Sequence, residues 1–204
     1  MKLYYAPGTC SQACHIALTE AGLGFELEKV AFGMPHRTET GLEYTSINPK
    51  GCVPALQLDD GSLLTENAVI LQYIADRAPA THLAPAAGTM ERYRVMEWLN
   101  YISGEVHRNF SPLFQPGVPD DYKPLARAAV EKRYDHIEKA LGDKPFLTGT
   151  DFSVADAYLF VTLGWAAFLG WDFSRWPRLA AFRERVASRA AVRQVLQSEG
   201  MIPA

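Results

Sequence analysis

The first part of the chain alternates strand-like and helical hydrophobic patterns. Residues 2–5 form a short aromatic and aliphatic run that ends at a Pro-Gly turn, which predicts a strand. Residues 11–21 repeat apolar side chains at helical spacing, and residues 25–30 alternate apolar and charged positions as a half-buried strand does. The pattern therefore predicts a β-α-β unit, whose two strands are parallel because a crossover helix connects them.

The following segment predicts a hairpin and a second helix. Residues 33–50 are irregular apart from one possible helical turn near residues 44–47. Residues 53–58 and 63–64 read as antiparallel strands on either side of an Asp-Asp-Gly turn, and residues 65–78 have helical periodicity. This element order, β-α-β followed by β-β-α, is that of a thioredoxin-like α/β domain.

Beyond this segment the pattern predicts helices only. Residues 80–88 are rich in alanine and proline without periodicity, as a linker is. The predicted helices cover residues 90–110, 123–141, a segment from 154 that Ser153 and Asp156 open with a capping box, 179–188 and 192–198. We therefore expect an α/β thioredoxin-like domain over residues 1–79, the linker over 80–88 and an all-α domain over 89–204.

Composition and charge exclude several classes of function. The chain has 204 residues, of which 48% are hydrophobic and 21% charged, the profile of a folded soluble protein. A net charge of −3 does not suit an electrostatic nucleic-acid binder, and the longest apolar stretches are too short to span a bilayer. The amino terminus lacks the apolar segment of a secretory signal, and three cysteines make an odd count that favours a reducing compartment. We expect a cytoplasmic protein with no nucleic-acid or membrane partner.

The segment PGTCSQACHI allows a dithiol centre, a metal site or a single working thiol. Cys10 and Cys14 have the spacing C-x-x-x-C and not the C-x-x-C of dithiol oxidoreductases. A metal site built from these two thiols and His15 lacks a fourth ligand, so we expect no metal. Cys10 precedes a predicted helix, where a thiol has a lowered pKa and becomes reactive. We expect Cys10 to be the working thiol, with Cys14 and Cys52 as small buried side chains.

Two further segments each leave two interpretations open. Pro54 either only starts a strand, or follows a cis bond that turns the backbone groups of Val53 outward to receive an extended peptide. At the predicted helix start, Thr65 and Glu66 either form a simple cap with a favourably placed acid, or Thr65 caps the helix while Glu66 faces a ligand ammonium. The backbone N–H groups at such a helix start, beside Asn67, favour an anion.

Five segments, in the same order along the chain, carry a resemblance to a known family. They are MKLYYAPGTCS, INPKGCVPALQLDDGSLLTEN, EWLNYIS, VH followed by SPLF, and DFSVADAYLF. Together they make the chain resemble the cytosolic glutathione transferases, and among these the bacterial beta class. The resemblance implies the glutathione transferase architecture, in which a thioredoxin-like domain binds glutathione and an all-α domain carries the hydrophobic-substrate site and dimer contacts. It also implies a homodimer, with glutathione as co-substrate and no further cofactor.

The resemblance implies roles for particular residues. The catalytic groups it implies are Cys10, Ser11 and His107. Cys10 would lie beside the glutathione sulfur, either stabilising its thiolate or reacting itself to form a mixed disulfide, and His107 would act as a hydrogen-bond donor or a general base. The implied glutathione site comprises Cys10, His36, Arg37, Cys52, Val53, Pro54, Glu66, Asn67, Asn100, Ser103 and His107.

Within that site, Val53, before a cis Pro54, would bond the cysteinyl backbone of glutathione, and Glu66 and Asn67 would hold its γ-glutamyl end. Independently of the resemblance, positions 100, 103, 104 and 107 fall on one face of a predicted helix.

Three positions depart from the family pattern. His36 and Arg37 stand where family members often have a lysine that reaches the glycine carboxylate of glutathione. Gly104 replaces a serine or threonine one turn before the histidine, and Asn67 replaces a frequent glycine. We therefore expect glutathione binding that is weaker than usual or arranged differently.

An apolar wall near the predicted cleft could receive a hydrophobic substrate. It consists of Phe110, Leu113, Phe114 and Trp165. The alternative for these side chains is ordinary core between the two domains.

Three functions are compatible with these residues. The first is a glutathione transferase that acts on small hydrophobic electrophiles. The second is a glutathione-dependent thiol–disulfide oxidoreductase or peroxidase that works through Cys10, and the third is a non-catalytic protein that binds hydrophobic ligands. Fold alone does not choose among them.

Overall fold

The structure is a computed structural model that describes residues 1–33 and 35–203. Met34, in the predicted irregular stretch, and Ala204, at the end of the predicted second domain, lie outside the described residues. In the described part of the chain a five-stranded mixed sheet precedes a helical region. None of its helices is both long enough and apolar enough to cross a membrane.

The sheet has the strand order β3-β2-β1-β4-β5. Its strands are β1 (Lys2–Tyr5), β2 (Glu26–Ala31), β3 (Arg37–Thr38), β4 (Ala55–Gln57) and β5 (Leu63–Thr65). The pair β1–β2 is parallel, and the other neighbouring pairs are antiparallel. The predicted parallel pair and hairpin are thus confirmed, while β3 was not predicted because two residues carry no hydrophobic period.

Two helices pack on this sheet, α1 (Ser11–Glu20) and α2 (Asn67–Arg77). The later helices are α3 (Met90–Tyr101), α4 (Arg108–Phe114), α5 (Lys123–Leu141), α6 (Val154–Phe168), α7 (Pro177–Ala187) and α8 (Ala190–Ser198). A π-helical segment, Ile102–His107, joins α3 to α4, so the single helix predicted over residues 90–110 is interrupted and ends later. Short 3₁₀ turns occur at Tyr44–Ser46 and Pro79–Thr81.

One hydrophobic core runs from the sheet side of the molecule into the helical side. Ile16 and Leu18 of α1 share it with Leu159 and Leu163 of α6, and all four side chains are fully buried. Burial of each such side chain contributes about 1.5–3 kcal/mol. The core therefore fixes α1, with the thiol at its start, against α6.

The start of α6 is fixed by the predicted capping box. The Asp156 carboxylate accepts hydrogen bonds from the backbone N–H and hydroxyl of Ser153, at 2.8 and 2.7 Å, and from the Leu147 N–H at 2.8 Å. Burial nevertheless raises the pKa of Asp156 to about 6. Because the start of α6 is fixed, the position of its later side chains along α1 is fixed as well.

Candidate active site

Cys10 stands at the N-cap of α1, where its thiol faces the segment before β4. The thiol donates to the Val53 carbonyl at 3.2 Å, and the residue is 9% exposed. Burial raises the pKa of Cys10 to about 12, and nearby Cys52 and Glu66 add to the increase. The N–H groups of Cys10 and Ser11 lower that pKa but do not outweigh the burial. The predicted lowered pKa is therefore wrong for this structure.

The side chain of Ser11 does not reach the cleft. It is fully buried, where its hydroxyl accepts from the Ala6 N–H at 3.1 Å and also lies 3.1 Å from the Ala6 carbonyl and 2.8 Å from the Thr9 hydroxyl. These bonds hold the loop between β1 and α1. The geometry does not support the catalytic role expected of this hydroxyl, and only the backbone N–H of Ser11 acts on the thiol of Cys10.

The other groups of PGTCSQACHI face away from Cys10. Cys14 is fully buried and donates to the Asn67 side-chain oxygen at 3.0 Å, while Nδ1 of His15 lies 2.8 Å from the Glu199 carboxylate. All three cysteines are free thiols. Among residues 1–33 and 35–203, no group of three or more histidine, cysteine or acidic side chains is arranged to hold a metal ion.

Cys52 is exposed, which contradicts the prediction that it is buried. Its neighbour Val53 is 7% exposed and packs into the core beside Tyr44. Successive side chains of an extended segment point to opposite sides, so burial of Val53 turns the thiol of Cys52 outward.

The Val53–Pro54 bond is cis, as the second of the two interpretations requires, while the binding of an extended peptide there stays a prediction. The preceding carbonyl, that of Cys52, accepts from the Tyr44 hydroxyl at 2.9 Å and from the Asn48 side chain at 2.7 Å. These two bonds hold the segment rigidly while the Val53 carbonyl faces Cys10.

The start of α2 lies beside this segment. Its N-cap is Glu66, not Thr65 as predicted, and Glu66 has a positive φ of 73°. Such a backbone conformation is rare outside glycine and is often kept at functional sites. Asn67 is buried, and its Nδ2 has no hydrogen-bond partner among the described residues.

Lys50 is a charged residue of the site that sequence reasoning missed. Its ammonium donates to the Glu66 carboxylate at 2.6 Å and to the Thr65 hydroxyl at 3.1 Å. The only signal in the sequence was its place in the segment INPKGCVP. The pair is exposed, so it contributes little to stability, but it places a cation and an anion together at the rim of the site.

His36 and Arg37 occupy different places. A Cβ added to Gly51 would lie 3.8 Å from the His36 ring, so His36 lies against the segment that leads to Val53. The Arg37 guanidinium is exposed and donates to the Gly41 carbonyl at 3.0 Å. The structure therefore brings His36 to the segment before Val53 and leaves Arg37 in β3, with its guanidinium turned to Gly41.

Across the cleft, the π-helical segment carries Ser103, Gly104 and His107. Nδ1 of His107 lies 2.6 Å from the hydroxyl oxygen of Tyr158 in α6. Burial lowers the pKa of His107 to about 4, so its imidazole is neutral at pH 7. Asn100 is exposed at the end of α3. The prediction that Asn100, Ser103, Gly104 and His107 share one helix face required a regular α-helical period, which the π-helical segment breaks.

Phe110 does not line the cleft, contrary to the prediction. It is fully buried, stacked on Trp171 with ring centroids 5.6 Å apart, and belongs to the hydrophobic core. For Phe110 the core alternative is therefore correct. Leu113 is half-buried beside it.

Other aromatic side chains lie beside His107 and on the exposed parts of α4 and α6. Trp165 donates from its indole N–H to the Gly8 carbonyl at 2.8 Å and packs edge-on against His107, with ring centroids 4.8 Å apart. Phe114 is 44% exposed and lies 6.5 Å from the ring of Phe168, which is 83% exposed. Sequence reasoning missed Phe168, although it follows Trp165 by three positions on one helix.

The loop that carries Cys10 is also held from the end of the chain. The carboxylate of Glu199 is fully buried and accepts from the Gly8 N–H at 2.8 Å and from the Gln12 side chain at 2.9 Å. His15 bonds its other oxygen at 2.8 Å. This residue was also missed, since nothing in the local pattern links position 199 to the first loop.

Comparison with known proteins agrees with this geometry. Residues 8–77 match the family model described as "Glutathione S-transferase, N-terminal domain", and residues 120–185 match its C-terminal counterpart. Glutathione S-transferase GstA of Escherichia coli O157:H7 is 46% identical over 98% of this chain and 100% of its own length.

Two solved structures are similar over nearly the whole chain. The bacterial beta-class glutathione S-transferase of Sphingomonas chungbukensis has 47% identity and a TM-score of 0.95, covering 99% of this chain and 100% of its own. A sphingomonad glutathione S-transferase complexed with glutathione has 44% identity and a TM-score of 0.94, with the same coverage. The protein described here therefore belongs to the glutathione S-transferase family, in its bacterial beta class.

Proposed function

We propose that the protein conjugates the thiolate of glutathione to small hydrophobic electrophiles. The observation that carries this proposal is the contact of the Cys10 thiol with the Val53 carbonyl beside a cis Pro54. His107 is linked to the loop that carries Cys10 through Trp165. A relative of the same family and 44% identity has been solved with glutathione bound, which supports the same co-substrate here. No further cofactor is proposed.

The residues around Val53 offer a binding group for each part of glutathione. The Val53 carbonyl would accept from the cysteinyl N–H in place of the Cys10 thiol. Glu66 would bind the γ-glutamyl ammonium, and the N–H groups at the start of α2 would bind the γ-glutamyl carboxylate. Asn67 would contribute its backbone only, because its side chain is turned inward to Cys14. His36, lying against Gly51, is better placed than Arg37 for the glycine carboxylate.

The pKa of Cys10 decides its role. A thiol with a pKa of about 12 is protonated at pH 7 and therefore is a poor nucleophile but a competent hydrogen-bond donor. We propose that this donor turns from the Val53 carbonyl to the sulfur of bound glutathione and stabilises its thiolate. The electrophile would lie against Phe114, Trp165 and Phe168.

The raised pKa of Cys10 weighs against the redox function, and the polar groups of the site weigh against the third function. A thiol–disulfide oxidoreductase requires an attacking thiolate, which the buried Cys10 does not supply. A protein that only binds hydrophobic ligands has no need of a thiol held against the backbone beside a cis proline, nor of a buried neutral imidazole.

We also propose a homodimer. An exposed apolar face on α2 and α3 supports it: Val69 is 45% exposed, Met90 63%, Tyr93 54% and Met96 37%. A monomer would leave this face in water.

Cellular location and domain limits are proposals of the same kind. Three free cysteines favour the reducing cytoplasm. The domains are proposed as residues 1–79 and 89–204, joined by residues 80–88.

The test is glutathione-dependent conjugation of a chloronitroaromatic electrophile by the purified protein. We expect turnover that falls strongly in Cys10→Ser and His107→Asn and persists in Cys14→Ser, the control for a buried thiol outside the cleft. Disulfide reductase activity that disappears in Cys10→Ser, with no conjugation, would establish the redox alternative. Binding of the aromatic compound without any turnover would establish the third function.

A further inference from the structure

The phenol of Tyr158 lies behind His107 and connects it to the first domain. The residue is 1% exposed, and its ring stands nearly perpendicular to the imidazole, at 83°, with the hydroxyl 2.6 Å from Nδ1. A phenol has one hydrogen to donate, and an imidazole nitrogen can either donate or accept. The other neighbours of the phenol oxygen decide which group donates.

Two further side chains lie near that oxygen. The hydroxyl of Ser103 and the amide of Asn67 both lower the pKa of Tyr158, which is the effect of groups that donate to a phenol oxygen. Burial nevertheless raises this pKa overall, so the phenol keeps its hydrogen.

The orientation of the Asn67 amide is set from α1. The Cys14 thiol, 3.0 Å from Oδ1, donates to that oxygen, so the amino group of the amide points away from Cys14. Nδ2 is buried without a partner at full hydrogen-bond geometry among the described residues, and an amide nitrogen can only donate. The phenol oxygen is the acceptor that this arrangement offers to it.

The phenol oxygen therefore faces donor groups of the first domain and of the π-helical segment, and Nδ1 of His107, at 2.6 Å, is the group nearest to its own hydrogen. We propose that Tyr158 donates to Nδ1 of His107 and holds the imidazole as the Nε2–H tautomer, so that His107 meets the glutathione sulfur as a neutral hydrogen-bond donor and not as a general base. The hydrogen bond from His107 to the glutathione sulfur rests on the proposed function, whereas the tautomer of His107 does not.

This assignment fixes the path of the proton. The S–H bond of glutathione breaks and its proton passes to solvent, because the one free nitrogen of His107 already carries a hydrogen. The Nε2–H then donates to the thiolate that remains, together with the Cys10 thiol. Tyr158 does not touch the substrate, so it is a positioning residue that acts through His107.

The experiment is ¹H–¹⁵N correlation NMR of the histidine rings at pH 7, in which the two nitrogens of each tautomer have distinct shifts. The signals of His107 are assigned by their loss in His107→Asn. We expect the wild-type protein to show a hydrogen on Nε2. In Tyr158→Phe the tautomer preference should be lost, and kcat for conjugation should fall by about tenfold with little change in the KM for glutathione.

Tyr134→Phe is the matched control, because it removes another fully buried phenol whose hydroxyl donates to the Thr162 carbonyl at 2.9 Å. It should leave the His107 tautomer and kcat unchanged. If Tyr158→Phe does not fold, the wild-type spectrum alone tests the assignment.

A hydrogen on Nδ1 of His107 in the wild-type protein would overturn the proposal whatever the turnover. An unchanged tautomer and kcat in Tyr158→Phe would overturn it as well. A hydrogen on Nε2 in a protein that conjugates nothing would instead refute the proposed function and leave the role of Tyr158 standing.

Discussion

The Cys10 thiol donates to the Val53 carbonyl at 3.2 Å, beside the cis Val53–Pro54 bond. The contact keeps the thiol hydrogen in place, and burial raises the pKa of Cys10 to about 12. Its reactivity therefore differs from that of an ordinary helix-start cysteine.

The three thiols should react in the order of their exposure. We expect iodoacetamide at pH 7 to label Cys52 first, Cys10 slowly and Cys14 not at all, because Cys52 is exposed while the other two are buried. Since thiolate is the reacting form, labelling of Cys10 should keep rising from pH 9 towards pH 12. Peptide mass spectrometry over time measures each rate.

Cys52→Ser serves as the control, since it removes the fast site and should leave the slow rate of Cys10 unchanged. Rapid labelling of Cys10 at pH 7 would refute its raised pKa.

His107 should make the fold sensitive to acid. Its pKa is about 4 in the folded protein and about 6.5 when unfolded, so the unfolded chain binds the proton first as the pH falls. The stabilisation is present above pH 6.5 and is lost between pH 6.5 and 4. At pH 5 the loss should be about 1–2 kcal/mol.

Urea unfolding of the wild-type protein and His107→Gln at pH 7 and pH 5 tests this. Asp156, with a raised pKa of about 6, shifts stability in the opposite sense over pH 3.8 to 6 and is common to both proteins, so the difference between them isolates His107. Equal losses in the two proteins would contradict the prediction.

Glu199→Gln should loosen the loop that carries Cys10. The substitution removes a buried charge that accepts from Gly8, Gln12 and His15, which should cost about 2–4 kcal/mol of unfolding free energy. The KM for glutathione should rise with it. Denaturant unfolding and conjugation kinetics measure both effects.

Glu184→Gln makes the same chemical change at an exposed position of α7 and should alter neither quantity. Similar behaviour of the two variants would show that Glu199 does not hold the loop.

Gly104→Ala should stabilise the protein by up to about 1 kcal/mol. A Cβ at this position meets no atom within 4 Å, the backbone is not in the left-handed region, and the unfolded chain loses conformational freedom. Gly142→Ala is the opposite case, because Gly142 has a φ of +55° at the end of α5 and should lose stability. Thermal unfolding of both variants gives the signs, and a shift of both in the same direction would contradict the prediction.

Local patterns predicted much of this molecule. The strand alternation, the hairpin and the capping box of Ser153 and Asp156 depend on neighbouring residues, and the structure reproduces them. Strand β3, at Arg37–Thr38, is too short to show a period. The N-cap at Glu66 depends on a positive φ, which no local sequence pattern predicts for a glutamate.

Burial was harder to predict than secondary structure. Phe110 and Phe168 are equally apolar in sequence, yet one is fully buried and the other 83% exposed. The difference arises from distant packing, because Phe110 lies against the rings of Tyr134, Trp165 and Trp171 from later parts of the chain. Glu199 contacts the first loop although the two are 191 positions apart in the sequence. Residue spacing predicts only local contacts, so this one could not be predicted.

The π-helical segment Ile102–His107 sets the angular register of the cleft. A π turn holds one residue more than an α turn, so deleting a single residue there would let the helix continue regularly from Met90 to Phe114. Helices α3 and α4 would stay in line, but the π segment would hold one residue fewer, so the side chains between Ile102 and His107 would have to change direction. The position of the imidazole against Tyr158 therefore depends on one inserted residue.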